Sequence, residues 1–592
     1  MTRSRRWSPR LAALAASAAI VFAACTGTQP STAPSAAGSV APSTATESGP
    51  PFEAMVYPES GEAPCGQAEA PDAEHSKYTG NIKKISATDA GTVVFDLCNP
   101  DVAFLSKIAF TSFAINDTAW LEAKIDPAGT TNQAIVSEVN GTGPYKMEAW
   151  NRGSDVTMAR NDAYWGDKAI TEKMIMRWGT EGAQRLVELQ AGTVDGIDNV
   201  GNTDFATVQG NPELQIQPRE ALNTLYFGFN NKFAPFDNPK VRQAIALGID
   251  RQRLLDNFAA PGSEIATHFT PCNIANGCTG DPWYEFDAAA AKELLTEAGF
   301  PDGFATKIQY RDVSRGYVND QNVIAQDLQA QLKTNLGIDA TIEVQESGTF
   351  LGNADSGKLD GIHILGWGAD YPDITNFLDY HFGAGASAQF GDKFDAITTP
   401  LAAGAIGLDD AARAPSYVEA NNAVKANIPM IPIWHQASAT AYRADVEGAH
   451  SSPLGNEEFA SMTPGDRPQF VFMQGAEPPG LYCADETDGE ALRVCQQMME
   501  ALYAYETAGT APEPALAEKC EPNTELTTWT CTLRQGVTFH DGAALDANDV
   551  VLSYATQWDA EHALHKGRDG AFTYFSALFG GFLNPPPPAP ES

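Results

Sequence analysis

Short β-rich runs alternate with helical runs through the middle of the chain, and this order restricts the fold to a few classes. Residues 241–258 carry apolar side chains at helical spacing, directly after Asn238 and Pro239, which suit the N-cap and the first helical position. A second helix is predicted from Asp287 to just before Gly299. The β-rich runs lie at residues 341–344, 361–365 and 430–434. This alternation predicts layered α/β lobes.

Length and charge limit the function. The chain has 592 residues, enough for several domains, and 43% of them are hydrophobic, which suffices for a large core. Lys and Arg number 38 against 75 Asp and Glu, a formal net charge of −37. This balance argues against sequence-independent nucleic-acid binding, which needs clustered cations, and against a folded surface that lies on anionic lipid. We therefore expect no nucleic-acid partner.

The first residues have the form of an export signal. A basic stretch at residues 1–10 precedes the apolar run 11–24, which is too short to span a bilayer. The run ends in VFAAC, similar to a bacterial lipobox, so residues 1–24 are the predicted lipoprotein signal peptide and Cys25 is the predicted lipidation site. An ordinary secretory cleavage site is the alternative. The Thr-, Ser-, Ala-, Gly- and Pro-rich residues 25–50 predict a flexible tether.

Cysteine usage fits an exported protein. The chain has nine cysteines, and setting Cys25 aside leaves an even number, which favours disulfides. Many pairings are possible, and the simplest joins near neighbours. The predicted pairs are Cys272–Cys278, Cys483–Cys495, Cys520–Cys531 and Cys65–Cys98. The spacing does not resemble a zinc knuckle, so no metal is predicted.

Catalytic motifs are not evident in the sequence. It contains no phosphate-binding loop, no dinucleotide-binding glycine motif, no zinc-protease helix motif and no nucleophile elbow. We therefore predict a protein that is not an enzyme and has no cofactor. A secreted hydrolase and a solute-sensing receptor for a signalling partner are the alternative functions.

Several motifs occur in an order that resembles one family. They are GTGPYK (141–146), ARNDAYWG (159–166), LVELQAGTVDGID (186–198), LNTLYFGFNNKFAPFDNPKVRQAIALGIDR (222–251), FDAAAAKELLTEAGFPDGF (286–304) and GWGADYPDITNFL (366–378). The ordered set resembles the family 5 extracellular solute-binding proteins, the peptide, nickel and opine binders of bacterial ABC importers. The resemblance implies an α/β, periplasmic-binding-protein-like, two-lobed (type II) fold with an extra peripheral subdomain, which closes on a ligand without catalysis.

The order of segments departs from the family. CTLRQGVTFHDGAALDANDVVLSYATQWD (531–559) resembles a segment that the family usually places well before the GTGPY motif, and QFVFMQGAEPPGLY (469–482) resembles its usual first strand. A circular permutation explains both, and a fused, truncated second copy is the alternative. The predicted division after the signal peptide (1–24) and tether (25–50) is peripheral subdomain 51–140, lobe I 141–235, lobe II 236–435, lobe I again 436–490, peripheral subdomain again 491–584, and a disordered tail 585–592.

The resemblance also implies site residues. Asp370 matches the aspartate that holds the α-amino group of the ligand in peptide binders, and Trp367 matches a tryptophan that lines the pocket; the adjacent Tyr371 joins this set. Arg311 aligns loosely with an arginine that binds the ligand carboxylate in dipeptide binders, and Arg315 is nearly as good a match. Further candidates for the pocket wall, for which core packing is an equally good explanation, are Tyr226 and Trp434.

These features together predict a function. The chain is expected to be a monomeric, extracytoplasmic lipoprotein, held at the cell membrane only by the lipid on Cys25. Its predicted ligand is a peptide or a similar small solute, which it delivers to the permease and ATPase subunits of an ABC importer.

Overall fold

The computed structural model describes residues 52–72, 74–125, 133–311, 315–568 and 570–586. The predicted signal peptide, Cys25, the tether and most of the predicted tail lie outside the described residues. Within the described residues, no helix combines the length and apolar character that a membrane span requires.

The described residues form strands and helices in a mixed order. The strands are β1 (Val56–Tyr57), β2 (Ile82–Asp89), β3 (Thr92–Leu97), β4 (Tyr145–Asn151), β5 (Asp155–Arg160), β6 (Lys173–Trp178), β7 (Gly196–Ile197), β8 (Leu214–Arg219), β9 (Asn223–Gly228), β10 (Glu264–Ile265), β11 (Ala305–Arg311), β12 (Asp339–Gln345), β13 (Ile362–Gly368), β14 (Met430–His435), β15 (Ser438–Arg443), β16 (Gln469–Gln474), β17 (Tyr503–Tyr505), β18 (Pro512–Pro514), β19 (Ala517–Pro522) and β20 (Thr528–Leu533). The α-helices are α1 (Phe104–Ile108), α2 (Thr118–Glu122), α3 (Gly182–Ala191), α4 (Phe205–Gln209), α5 (Pro239–Gly248), α6 (Arg251–Phe258), α7 (Ala288–Glu297), α8 (Gln321–Leu336), α9 (Ser347–Asp355), α10 (Leu378–Phe382), α11 (Asp395–Gly404), α12 (Asp410–Asn427), α13 (Gly489–Gln496), α14 (Ala547–Trp558) and α15 (Thr573–Phe579).

Three large sheets define three parts of the described chain. The lobe I sheet has the order β4-β5-β6-β16-β7-β15-β8, the lobe II sheet β10-β14-β9-β13-β11-β12, and the peripheral sheet β1-β2-β3-β20-β19. Alternation along β16 shows how a sheet builds two cores: Phe470 and Phe472 enter one hydrophobic cluster of lobe I, whereas Val471 and Met473 enter the cluster on the other face. Lobe II and the peripheral subdomain each have a hydrophobic cluster of their own.

The predicted helix starts are confirmed by their caps. The Asn238 side chain accepts a hydrogen bond from the Lys240 amide at the start of α5, and Asp287 accepts two from the first turn of α7. The run predicted over residues 241–258 is divided, however. The Asp250 side chain caps a new helix, α6, so the chain changes direction between α5 and α6.

Two short segments, residues 220–222 and 436–437, connect lobe I to lobe II. The first joins β8 to β9 and the second joins β14 to β15. This arrangement corrects one predicted boundary, because residues 222–235 were assigned to lobe I. β9 pairs with both β13 and β14, so this segment belongs to the lobe II sheet.

The C-terminal third of the chain completes sheets that the N-terminal part begins. β20 pairs with β3, with Cys531 opposite Val93, and β16 lies between β6 and β7 in lobe I. The last described residues also contact an N-terminal segment, since the Ser76 amide donates to the Pro585 carbonyl oxygen at 2.9 Å. Residues 531–559 are therefore part of the peripheral subdomain and not a separate unit. This packing is what a circular permutation requires, and the permutation itself stays a prediction.

The near-neighbour disulfide pairing is confirmed. The bonds join Cys65 to Cys98, Cys272 to Cys278, Cys483 to Cys495 and Cys520 to Cys531.

Candidate functional site

A cavity of about 830 Å³ lies between lobe I and lobe II. Its lobe I wall comes from loops that follow β6, β7 and β16, which run parallel to one another. Its lobe II wall comes from residues that follow β11 and β14. β13 and β14 are both antiparallel to β9, and β13 is parallel to β11. The strands β11, β13 and β14 therefore run in the same direction. Both sheets thus direct the carboxyl ends of their strands into the same cavity, the position where open α/β sheets bind ligands.

The wall of this cavity is polar and carries both signs of charge. Arg185, Arg315, Asp488 and Glu490 line it together with glycines and with amide and hydroxyl side chains. Arg185 is already engaged, since its guanidinium donates to the carbonyl oxygens of residues 179, 180, 198 and 199. Such a wall suits a hydrated, polar solute better than an apolar one.

The two connecting segments are held together beside the cavity through Asn223, the first residue of β9. The Asn223 side chain donates to the Gln436 carbonyl oxygen at 2.9 Å, and its Oδ1 accepts from the Gln436 amide at 2.9 Å. At the lobe I end, Arg219 donates to Ser438 Oγ at 3.3 Å. The segments therefore form a paired hinge, and relative motion of the lobes must bend both together.

A buried cluster of four charges lies at the lobe I end of this hinge. Arg219 contacts Asp198 at 2.8 Å and Glu457 at 2.5 Å, and Arg493 contacts the same two carboxylates at 2.9 and 2.8 Å. We call these four residues the charge quartet. Each cation has two carboxylate partners and each carboxylate two cations, so all four charges are compensated within the protein interior.

Asp370 lies just beyond the carboxyl end of β13, next to the hinge. The preceding residue, Ala369, donates its amide hydrogen to the Leu222 carbonyl oxygen at 2.8 Å. The Asp370 carboxylate accepts a hydrogen bond from Asn376 Nδ2 at 3.1 Å, and among the described residues it has no cationic partner in an ion pair. Burial raises the pKa of this carboxyl to about 6, against the smaller opposing effect of the Asn376 hydrogen bond.

Aromatic side chains surround this carboxylate. Trp367 stacks on Tyr380 with ring centroids 4.3 Å apart. Tyr505 and Tyr574 belong to the peripheral subdomain, and burial followed by the Asp370 charge raises the pKa of both phenols. Asp370 therefore lies close enough to phenols of lobe II and of the peripheral subdomain for its charge to influence them.

Arg311 is the last residue of β11, at the same edge of the lobe II sheet. Its side chain is 8% exposed and donates to Ser347 Oγ at 3.0 Å and to the Tyr317 hydroxyl at 3.3 Å. No carboxylate pairs with it among the described residues, and its Nε is buried without a hydrogen-bond partner. Arg315 lines the cavity itself. Arg315 thus lies on the wall of the cavity, whereas Arg311 is buried at the end of β11 and does not line it.

Of the predicted site residues, only Arg315 lines this cavity; Asp370, Trp367 and Arg311 lie outside its lining, and the remaining three pack elsewhere. Tyr226 and Trp434 have no exposed surface and pack in the lobe II core, where the Tyr226 hydroxyl accepts from Gln389 and the Trp434 indole donates to the Tyr317 carbonyl. Their burial in this core agrees with the alternative of core packing stated for them above. Tyr371 is 6% exposed and packs in the hydrophobic cluster of the peripheral subdomain, with the Lys107 ammonium 5.5 Å from its ring centroid.

Two features of this region, Asn376 and the charge quartet, are not evident from the sequence. Asn376 lies in the motif that contains Asp370, yet it was not selected, because an asparagine in a loop has many ordinary roles. The charge quartet comes from four separate segments, so no local pattern could reveal it. For Asn376, the motif that it shares with Asp370 was a signal that could have identified it. For the charge quartet, the sequence offers no such signal.

Comparison with known proteins gives a consistent result. The family described as bacterial extracellular solute-binding proteins, family 5 Middle, matches residues 39–389 and 511–572. Heme-binding protein A of Haemophilus influenzae is 27% identical over 390 residues, which cover 65% of this chain and 70% of that protein. Di/tripeptide-binding protein 1 of Pseudomonas aeruginosa is 27% identical over 399 residues, which cover 65% of this chain and 72% of that protein.

A solved structure supports the same assignment of fold. HbpA2 from Haemophilus parasuis superposes with a TM-score of 0.59 at 26% identity, over 65% of this chain and 76% of that chain. The predicted two-lobed, type II periplasmic-binding-protein fold is thereby confirmed. With the family match over most of the chain and the cleft between two α/β lobes, the chain belongs to the family 5 bacterial extracellular solute-binding proteins.

Proposed function

We propose that this protein captures a peptide, or a similar small solute with a free amino group, between lobe I and lobe II and delivers it to an ABC importer. Members of the family are substrate-binding proteins of transport systems and not enzymes. We extend this to the present chain: it binds its solute without turnover, is held outside the cell membrane by a lipid on Cys25, and works as a monomer with a permease and an ATPase.

The observation that carries the proposal is the state of Asp370. A carboxylate that is withdrawn from water without a cation beside it is costly, and its raised pKa of about 6 expresses that cost. An ammonium group placed against it would restore the charge balance that the protein does not provide. A ligand amine is therefore the chemical group that this site fits best.

The arginines provide the opposite pole. A peptide also has a carboxylate, and a planar guanidinium can bind it through two hydrogen bonds. We assign this role to Arg311, whose Nε has no partner, or to Arg315, which lines the cavity. Peptide is favoured over other family ligands because it has both the amino group and the carboxylate that these two poles would bind, and because one relative at 27% identity is a di/tripeptide-binding protein.

Closure follows from the same electrostatics. We infer that closure of the paired hinge removes the remaining water from Asp370, which is half-buried, so that without a ligand the closed state must either hold an unpaired charge or take up a proton. A bound amine removes this penalty, so the ligand favours the closed state by its contacts there. The ligand thus shifts the equilibrium without any chemical step.

The test compares a peptide with its N-acetylated form. Calorimetric titration of a tripeptide library should detect binding only for members with a free amino terminus, and Asp370→Asn should weaken that binding at least about a hundredfold, as for a buried charge pair. The matched control is Asp360→Asn, an exposed aspartate at the other end of β13 that pairs with Lys307. Equal affinity for acetylated peptides, or unchanged binding by the Asp370 variant, would overturn the proposal.

A further inference from the structure

We propose that Asn376 is a positioning residue that fixes the orientation of the Asp370 carboxylate and keeps one of its oxygens available for the ligand. This inference rests on the function proposed above, because it deepens the role of Asp370. Asn376 itself does not need to touch the ligand.

The geometry around Asn376 leaves one arrangement of its amide. Its Oδ1 accepts from the Trp367 indole Nε1 at 3.1 Å and from the Asp370 backbone amide at 3.0 Å. Both partners are donors only, so the carbonyl oxygen of the side chain must face them. The Nδ2 group is thereby directed to Asp370 Oδ2, at 3.1 Å. A reversed amide would place its own N–H groups against these two donors, and its oxygen against the oxygen of the Asp370 carboxylate.

Asn376 is itself held firmly. It is 2% exposed and ends a short 3-10 helix, Ile374–Asn376. Asp373 caps that helix by accepting from the Thr375 amide, and Arg413 binds Asp373 through two hydrogen bonds of 2.7 and 2.8 Å. The side chain that orients Asp370 is thus placed by a fixed element and not by a free loop.

One consequence concerns the two oxygens of Asp370. The amide of Asn376 occupies Oδ2, and no described side chain donates to Oδ1. The carboxylate is thereby held in one orientation with Oδ1 left for the amine of the proposed ligand. A second consequence is electrostatic, because a donor to the ionised carboxylate favours the charged form that a cation needs.

The first experiment uses the protein without ligand. Carboxyl carbon NMR, with aspartate labelled and the Asp370 signal identified by its absence in Asp370→Asn, follows the titration of this one group. In Asn376→Ala the titration midpoint should rise by about half a pH unit or more, because the donor to the charged form is lost. The neighbouring Tyr380, Tyr505 and Tyr574 stay protonated over this range, because burial raises the pKa of each.

The matched control is Asn421→Ala. Asn421 is also a buried asparagine of lobe II, but it donates to carbonyl oxygens in residues 276–277 and has no contact with Asp370. Its removal should leave the Asp370 midpoint unchanged. If Asn376→Ala does not fold, Asn376→Ser serves instead, because its short hydroxyl side chain fills part of the space without reaching Asp370.

The second experiment measures binding of a tripeptide with a free amino terminus against pH. In Asn376→Ala the affinity should fall on the order of tenfold, and the loss of binding on acidification should begin at a higher pH than in the unchanged protein. An unmoved midpoint and an unmoved binding profile would overturn the inference while leaving Asp370 as the amine site. If Asp370→Asn itself binds normally, the proposed function fails instead, and the NMR midpoints still decide whether Asn376 acts on Asp370.

Discussion

Asp370 and Asp373 lie in one loop, three positions apart, yet their surroundings differ completely. Burial disfavours the charge of both. At Asp373 burial is the largest single effect, but the hydrogen bonds and charge of Arg413 together with hydrogen bonds from Thr375 outweigh it, so its pKa lies below the usual value. At Asp370 only an amide donates, and the pKa rises to about 6. The first carboxylate is structural and the second is left uncompensated, which is why only the second is a candidate for ligand binding.

The raised pKa of Asp370 has a consequence for stability. The folded protein holds this proton to about pH 6, whereas the unfolded chain releases it near pH 4. Between these values the folded state binds more protons, so raising the pH removes stability, and the cost is complete above pH 6. We expect ligand-free Asp370→Asn to be more stable than the unchanged protein by about 1–3 kcal/mol at pH 7.5.

Chemical denaturation followed by circular dichroism at pH 4 and pH 7.5 measures this difference. It should shrink toward zero at pH 4, where the carboxyl is protonated in the folded protein. Asp360→Asn, which alters an exposed ion pair, should change stability little at either pH. A difference of the same size at both pH values would show that Asp370 is not desolvated.

At the scale of secondary structure, the features that could be predicted from the sequence are those that depend on residues close together in the chain. Side-chain caps such as Asn238 and Asp287 mark helix starts, and near-neighbour cysteines formed the expected pairs. Prediction from the sequence failed where the position of a residue depends on contacts with residues that are distant in the chain. β9 belongs to lobe II because of its pairing with β13 and β14, and Tyr371 leaves the core of its own lobe for that of the peripheral subdomain. Both outcomes depend on long-range contacts that a local pattern does not contain.

The charge quartet joins β7, β8, α13 and a loop, and so ties the hinge to the lobe I framework. Glu457→Gln would leave two buried guanidinium groups with one carboxylate. We expect a loss of about 3–5 kcal/mol in the free energy of unfolding. Lys240→Met, which removes an exposed pair with Glu297, should cost no more than about 1 kcal/mol.

Urea denaturation at neutral pH tests this pair of variants. Each variant removes one charge, so a difference in their cost to stability reflects the burial of the ion pairs and not the number of charges removed. Similar costs for both would mean that the quartet is hydrated in solution and does not stabilise the hinge end of lobe I.

At the scale of the whole molecule, four disulfides cross-link the described chain at separate places. Denatured protein from an oxidising host, prepared from residue 52 onward, should show no reactive thiol before reduction and eight after it. Thiol titration with and without a reductant gives both values. Any substantial reactivity before reduction would contradict the pairing.

The predicted permutation can be tested by reversing it. The loop between Thr463 and Gln469 is where the usual family chain would begin and end, and Ser76 already lies against Pro585. A chain opened between Gly465 and Asp466, with residue 586 joined to residue 52 by a short flexible linker, should fold with a melting temperature within a few degrees of the original and bind the same solute. The matched control opens the chain within β16, in the centre of the lobe I sheet, and should not fold.

The stack of Trp367 on Tyr380 beside Asp370 gives this protein an optical reporter of its own. The indole N–H is bonded to the same asparagine that holds the carboxylate. An ammonium bound at Asp370, as proposed above, would alter the field around one of the ten tryptophans in the chain. Emission spectra recorded for the unchanged protein and for Trp367→Phe would isolate that single signal. Occupancy of the cleft could then be followed in real time, without a label on either the protein or the solute.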